Sequence, residues 1–184
     1  MNNWGVQGWG SGITELLYVG SMTNVDLIAF GSNTSYRVMS GNLLFANLLI
    51  RSNVTLTGGA AIHAKGIAQS VFNNVTFDGP YQGNGKLYHG LWLDGFQSIS
   101  IPLINAQAQQ DAIRPSGFQI AHENSADLYL MSGKLSNSGT GLHVGGNAGG
   151  IYVGGSVALG ANAHGVVYDE AIQHGSGFAT INCS

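Results

Sequence analysis

Three carboxylates follow short glycine-led phrases that recur along the chain. Asp94 and Asp169 each lie four residues after such a glycine, and Glu123 lies six residues after another. Two carboxyl groups held about 5 to 9.5 Å apart supply the acid and the nucleophile or base of a glycosidase. Asp94, Glu123 and Asp169 are therefore the candidate catalytic residues, and Asp94 and Glu123, which fall in consecutive turns, are the candidate pair. An Asp at this position also serves as a corner residue that accepts backbone hydrogen bonds, and this second role is the one we expect.

A second group of candidates comprises aromatic and polar residues that alternate with apolar ones and so point outward. Trp92, Gln119 and His143 form one such stripe, and Tyr129 and Tyr152 belong to another. Trp and Tyr present a flat apolar face with a polar tip, which suits both a bound sugar ring and a subunit interface. We expect packing against a neighbouring subunit first and glycan contact second.

Several other functions are disfavoured by the composition. The six histidines are spread without metal-ligand spacing and the only cysteine is Cys183, so we expect no metal site and no cofactor. Six Lys plus Arg, scattered in a chain of net charge −3, provide no basic stripe for nucleic acid. No signal peptide is evident, and the longest apolar run, 43–50, is too short to enter a membrane.

The elements that position these residues are predicted to be strands. The chain has 184 residues, a size typical of one domain, which we place at 1–184. Charged residues make up only 8%, whereas glycine contributes 29 residues. Exposed helices need charged positions that are scarce here, and a surface of Asn, Ser, Thr, Gln and Gly is typical of strands and turns. The composition therefore predicts an all-β fold.

A phrase of glycine followed by alternating apolar residues recurs at a nearly constant period. Its glycines, at positions 66, 90, 117, 141 and 165, are 24, 27, 24 and 24 residues apart. A second phrase, of the form small polar, apolar, outward, apolar, begins at positions 24, 53, 74, 98, 127 and 150. Alternation with period two indicates short strands with one face inward, and two phrases per repeat indicate at least two parallel sheets along a coil.

This repeat predicts a parallel β-helix, a solenoid of roughly seven turns of about 24 residues. Stacking of turns at about 4.8 Å would align like residues in columns. Loops are expected at 78–86 and 107–116, and stacked Asn side chains are expected to hydrogen-bond at the corners. The predicted inner columns are Leu91, Phe118, Leu142 and Val166, and Val75, Ile99, Leu128 and Ile151; the predicted outward stripe on the second sheet is Thr55, Thr76, Ser100, Tyr129 and Tyr152.

Two phrases resemble the turns of a known superfamily. The segments 74–79, Asn-Val-Thr-Phe-Asp-Gly, and 90–95, Gly-Leu-Trp-Leu-Asp-Gly, are similar to turns of pectate-lyase-like right-handed β-helices, above all those of bacteriophage tailspikes and related virion proteins. The four motifs expected of a polygalacturonase-like enzyme are absent from the sequence: Asn-Thr-Asp, Asp-Asp, Gly-His-Gly and Arg-Ile-Lys. For a pectate-lyase-like enzyme, which uses several Asp and an Arg or Lys, Asp94 and Arg114 are the only candidates. The resemblance therefore bears on fold more than on activity.

The resemblance implies a structural virion component, a phage tailspike or surface decoration protein at the virion surface or tail. We expect a homotrimer or packing against other virion proteins, because a short coil with few charges and exposed aromatics gains by lateral packing. Cell-surface polysaccharide is an expected ligand. The alternative is a polysaccharide lyase or glycoside hydrolase acting as a depolymerase, and a third possibility is a secreted adhesin. The chain could equally be a fragment of a longer spike.

Overall fold

A computed structural model describes residues 4–10, 14–31, 39–78, 85–118, 125–169 and 179–181. These residues form strands and no helix, in agreement with the predicted all-β class. All of the strand pairs are parallel and belong to one sheet. The strands are β1 Trp4–Gln7, β2 Glu15–Tyr18, β3 Ile28–Gly31, β4 Ser40–Gly41, β5 Leu43–Ser52, β6 Ala60–Phe77, β7 His89–Ala106, β8 Asp111–Ser116, β9 Ala126–Ser136, β10 Thr140–Val144, β11 Ile151–Gly160, β12 His164–Tyr168 and β13 Ala179–Ile181.

The pairings arrange these strands in three rows, which the chain visits in a fixed order. The first row contains β3, the start of β6, the start of β7, β8, β10 and β12. The second contains β1, β4 together with the first part of β5, the middle parts of β6 and β7, the first parts of β9 and β11, and β13. The third contains β2 and the last parts of β5, β6, β7, β9 and β11. Both β6 and β7 pass through all three rows in turn.

The inward column of the first row is aligned by the register of its strands. Leu91, Leu142 and Val166 belong to one column, as predicted. The prediction of Phe118 was wrong, because Ile113 of β8 occupies the place between Leu91 and Leu142. Phe118 is buried but lies outside any strand. The predicted loop at 107–116 is therefore largely strand β8.

The column also shows that the repeat is less regular than the glycine spacing suggests. Its members at positions 28, 62, 91, 113, 142 and 166 are separated by 34, 29, 22, 29 and 24 residues. The strands are nevertheless aligned, because the links between rows differ in length and absorb the variation in the repeat. Of the predicted loop at 78–86, residues 79–84 lie outside the described part of the chain.

In the second row, Ile99, Leu128 and Ile151 share one column, as predicted. Val75 was wrongly included, because it pairs with Ile104 in the third row, while Ser70 takes the position beside Ile99. The outward stripe is confirmed for three residues on consecutive strands, Ser100, Tyr129 and Tyr152. Thr76 and Thr55 lie elsewhere, opposite Asn105 and Lys86 respectively.

The corner between the first and second rows uses the left-handed backbone conformation on successive strands. Asn42, Gln69, Ser98, Asp127 and Gly150 all have positive φ, between 48° and 63°. A Cβ atom at Gly150 would lie 2.8 Å from the Asp127 backbone nitrogen, so only glycine fits beside that strand.

The corner between the second and third rows contains the expected asparagine contact. Asn47 and Asn74, each also at positive φ, lie at equivalent positions on neighbouring strands. The amide of Asn74 donates to Oδ1 of Asn47 at 2.9 Å, which satisfies side chains that strand pairing alone would leave unpaired.

Replacing Gln69 by glycine is expected to stabilise the protein. Gln69 is exposed and has a φ of 48°, a conformation that costs a residue with a side chain about 1 to 2 kcal/mol and costs glycine nothing. Glycine also increases the conformational entropy of the unfolded chain, which offsets part of this gain. The net effect of Gln69→Gly should be a rise of about 2 to 4 °C in the melting temperature. The control is Gln97→Gly, at an exposed strand position, which should lower it. A loss of stability in both variants would contradict the assignment of this corner.

Candidate functional site

A line of polar and aromatic side chains covers the outward side of the first row. His63, Trp92 and Arg114 occupy matched positions on β6, β7 and β8, and His143 follows one residue after Leu142 on β10. Each alternates with a buried apolar neighbour, so strand periodicity places all four on the side opposite the core. The register thus brings together residues that are 22 to 29 positions apart in sequence.

Trp92 lies between two other planar groups. The His63 ring stacks on the indole with centroids 4.2 Å apart and planes 10° apart. The Arg114 guanidinium carbon lies 5.0 Å from the centroid of the same indole, within the range of a cation–π contact. His89 contacts the ring edgewise at 5.3 Å. Neighbouring side chains therefore occupy the surfaces of Trp92 that a sugar ring would need.

Two imidazoles each lie between two carboxylates. His63 Nδ1 is 2.8 Å from Asp26 Oδ2, and its Nε2 is 3.8 Å from Asp94 Oδ2. Asp94 also accepts a hydrogen bond from the Ser116 hydroxyl at 3.1 Å. The second unit, on β8 and β10, is built from Asp111 and His143 and ends at an exposed carboxylate.

In that second unit, His143 Nδ1 is 3.1 Å from Asp111 Oδ1 and its Nε2 is 3.0 Å from Asp169 Oδ2. Asp111 also lies 3.1 Å from Nδ1 of His89 and 3.8 Å from Nη1 of Arg114. Because one carboxylate serves three cationic or cationisable partners, Asp111 is the centre of the network on this face.

The environment of Asp111 lowers the pKa of its carboxyl group. Burial alone would raise this pKa, but the close contact with His89, the charges of His143 and His89 and the hydrogen bond from His143 outweigh it. The carboxylate is therefore held ionised inside the network, where it can orient imidazoles and a guanidinium.

Most of this network is inaccessible to a large substrate. Asp94 is 3% exposed, His63 6% and Asp111 4%, whereas the Asp169 side chain is 46% exposed. Four nitrogen atoms of this face are buried and make no hydrogen bond within the described residues: Nε2 of His63, Nδ1 of His89, Nε1 of Trp92 and Nε of Arg114. The buried groups are arranged to connect strands of the first row.

Asp94 and Asp169 are too far apart to act as a carboxylate pair. Asp94 pairs with Ser116 on β8, and Asp169 follows β12, so β8 and β10 lie between them. Three strand steps of about 4.8 Å place their backbones about 14 Å apart. This exceeds the roughly 5 to 9.5 Å that a glycosidase requires.

The second row carries a separate aromatic pair. Tyr129 and Tyr152, on β9 and β11, stack with centroids 4.9 Å and planes 7° apart. The residue on the other side of Tyr129 is Ser100, whose side chain is small, and Tyr129 is 40% exposed. Met131 and Leu44 on the same outward surface are also exposed. This surface is apolar and accessible.

Of the residues singled out from the sequence, the structure joins Trp92, Asp94, His143 and Asp169 along one face. Gln119 and Glu123 lie outside the described residues. The network also contains Arg114, which was named with Asp94 for a pectate-lyase-like site, and four residues that sequence reasoning did not assign to a site: Asp26, His63, His89 and Asp111. The alignment of Leu91 with Ile62 would have found His63, because His63 is the next residue along its strand and is paired with Trp92.

The chain matches no protein-family model, no curated protein and no solved structure. Within the described ranges, no three His, Cys, Asp or Glu side chains are grouped so that they could hold a metal ion. The same ranges contain no helix with the length and hydropathy needed to cross a bilayer.

The Asp111 network predicts a pH-dependent loss of stability in Asp111→Asn. At neutral pH the variant should lose about 2 kcal/mol of unfolding free energy, because the charged hydrogen bond to His143 and the ionic contact with His89 are replaced by neutral ones. Since folding lowers the pKa of Asp111, its contribution is complete above about pH 5 and disappears as the pH falls below about 4. Urea unfolding of both proteins at pH 6 and pH 3 measures this difference, and Asp127→Asn, outside the network, controls for loss of charge. A difference between wild type and variant that does not change with pH would contradict the assignment.

Proposed function

We propose that the chain is a right-handed parallel β-helix of the kind found in phage tailspikes and acts as a structural component of a virion surface. The observation that supports this most is the passage of β6 and then β7 through the first, second and third rows in the same order. A chain that returns to the same row after each circuit winds as a coil. The described strands give six positions in the first and third rows and seven in the second.

Within this proposal, the second-row surface is where the protein meets other molecules. Tyr129 offers a ring face beside the small Ser100 side chain, and Met131 and Leu44 extend the apolar area. Such a surface can pack against a second and third copy of the chain, and tyrosine rings also bind the apolar faces of sugars. Homotrimerisation is the first role that we assign to this surface, and contact with a host-surface glycan is the alternative, because the Tyr129 ring cannot be buried between copies and stacked on a sugar at the same time.

The geometry favours binding over polysaccharide cleavage. Asp94 is buried and already engaged by Ser116 and His63, so it cannot approach a glycosidic oxygen without rearrangement. Asp169 is accessible but lies about three strand spacings from Asp94. The carboxylates are better explained as parts of a network that ties strands together.

A homotrimer is expected in solution at micromolar concentration. Burial of the apolar second-row surface between copies would drive the association, so Tyr129→Lys, which puts a charge in that interface, should yield monomers. Analytical ultracentrifugation of both proteins measures the change. Tyr168→Lys, at an equally exposed tyrosine in the first row, is the control and should remain trimeric. A wild-type protein that sediments as a monomer would overturn this part of the proposal.

Glycan binding is tested with a panel of bacterial surface polysaccharides. If the Tyr129 ring is left exposed in solution, binding to at least one polymer should occur without release of new reducing ends or unsaturated products, and Tyr129→Ala should weaken it by about tenfold through loss of ring stacking. Tyr168→Ala should bind as the wild type does. Product release that is abolished by Asp94→Asn would instead establish a depolymerase.

A further inference from the structure

A polar groove lies on the link between the third and first rows. It has a volume of 490 Å³, inside the range of about 300 to 1,000 Å³ that is typical of small-ligand sites. Two buried apolar residues, Leu87 and Ala108, form its floor. The remaining lining is four amides and one cation: Gln107, Gln109, Gln110, Asn137 and Lys86.

Hydrogen bonds fix the orientation of several of these amides. Asp78, which is paired with Arg51, accepts a hydrogen bond from the Gln107 amide, and Asn137 Nδ2 donates to Gln107 Oε1 at 3.3 Å. The Gln109 amide donates to the Leu56 carbonyl. In these contacts Gln109 and Asn137 use only side-chain N–H groups, so their carbonyl oxygens remain available as acceptors. The same hydrogen bonds fix the position of both oxygens before a ligand binds.

The other two polar side chains add donors. Gln110 and Lys86 are exposed and make no side-chain hydrogen bond or ion pair within the described residues. No carboxylate lines the groove in that part of the chain, so the Lys86 ammonium is not neutralised there. The groove therefore combines fixed acceptors, an adaptable amide and one uncompensated positive charge.

From this chemistry we infer that the groove binds a short segment of a carboxylate-bearing oligosaccharide, with amides on the hydroxyl groups and Lys86 on the carboxylate. Amides suit hydroxyl groups because they both donate and accept, and the ammonium forms a charge-assisted hydrogen bond with the carboxylate. The described lining contains no aromatic ring, so recognition here is polar and differs from ring stacking at Tyr129. The inference rests on the proposed glycan binding and gives it a second site and an acidic ligand class.

Two probes that differ only at C6, which is a hydroxymethyl group in one and a carboxylate in the other, test the inference. Cellotetraose and its C6-oxidised tetraglucuronate share ring, linkage and length, and calorimetry measures their binding to the full chain. The wild type should prefer tetraglucuronate, and Lys86→Gln should reduce that preference by about fivefold, as expected for one partly exposed ion pair. Gln110→Ala should weaken the binding of both probes. Lys134→Gln, at an exposed lysine outside the groove, should change neither.

Salt dependence provides a readout that a general loss of structure would not produce. Wild-type affinity for tetraglucuronate should fall between 50 and 500 mM salt, whereas the affinity of Lys86→Gln should be less sensitive, because ions screen the exposed pair. Equal effects of Lys86→Gln and Lys134→Gln, or no binding of either probe at millimolar concentration, would overturn the groove assignment. If polymer binding is then lost in Tyr129→Ala, glycan binding at the second row stands. If the polysaccharide panel is also negative, both proposals fail.

Discussion

Parallel backbone pairing is the constraint on which the rest of the structure depends. Hydrogen bonds between parallel strands fix equivalent residues about 4.8 Å apart, so each side chain has the residues at the same position of adjacent strands as its neighbours. Residues at equivalent positions must therefore be compatible with one another. Ile62, Leu91 and Ile113 are compatible because they are alike in size and polarity. Polar residues meet this condition by complementarity: a carboxylate on one strand faces an imidazole or guanidinium on the next. A charged residue in such a row is therefore compatible only with certain residues on the strands beside it.

The sequence predicted the class of structure and part of its register, for physical reasons that can be traced to particular segments. Leu91, Leu142 and Val166 lie in phrases that begin with glycine and alternate cleanly, and these residues do share a column. Strand β8 was missed because Arg114 and Pro115 disrupt its pattern, while Gly117 and Phe118 imitate the phrase just after it. Local periodicity identifies a strand, but only the pairing partners decide between Ile113 and Phe118, two candidates five residues apart.

The same reasoning explains why the polar network could not be predicted from motifs. His63, His89, Asp111 and His143 have no characteristic spacing, because the links between rows vary in length. Their proximity follows from the register and nothing else. Buried and accessible groups are divided between the rows. Ionisable residues of the first row are mostly buried in contacts with one another, whereas Tyr129 is exposed on the second row and the groove exposes Gln110 and Lys86.

The passage of β6 and β7 through all three rows has a consequence for how the chain acquires its structure. Partners in the first row are separated by 22 to 34 residues, so the row gains nothing from a tight hairpin and each pairing must close a loop. Strands β6 and β7 pair over most of their length and form the largest paired unit. Folding is then expected to nucleate there and to extend strand by strand toward both ends. During synthesis on the ribosome, strands β1 to β5 emerge before β6 and β7. They would therefore acquire their stable pairing only after those two strands have been made.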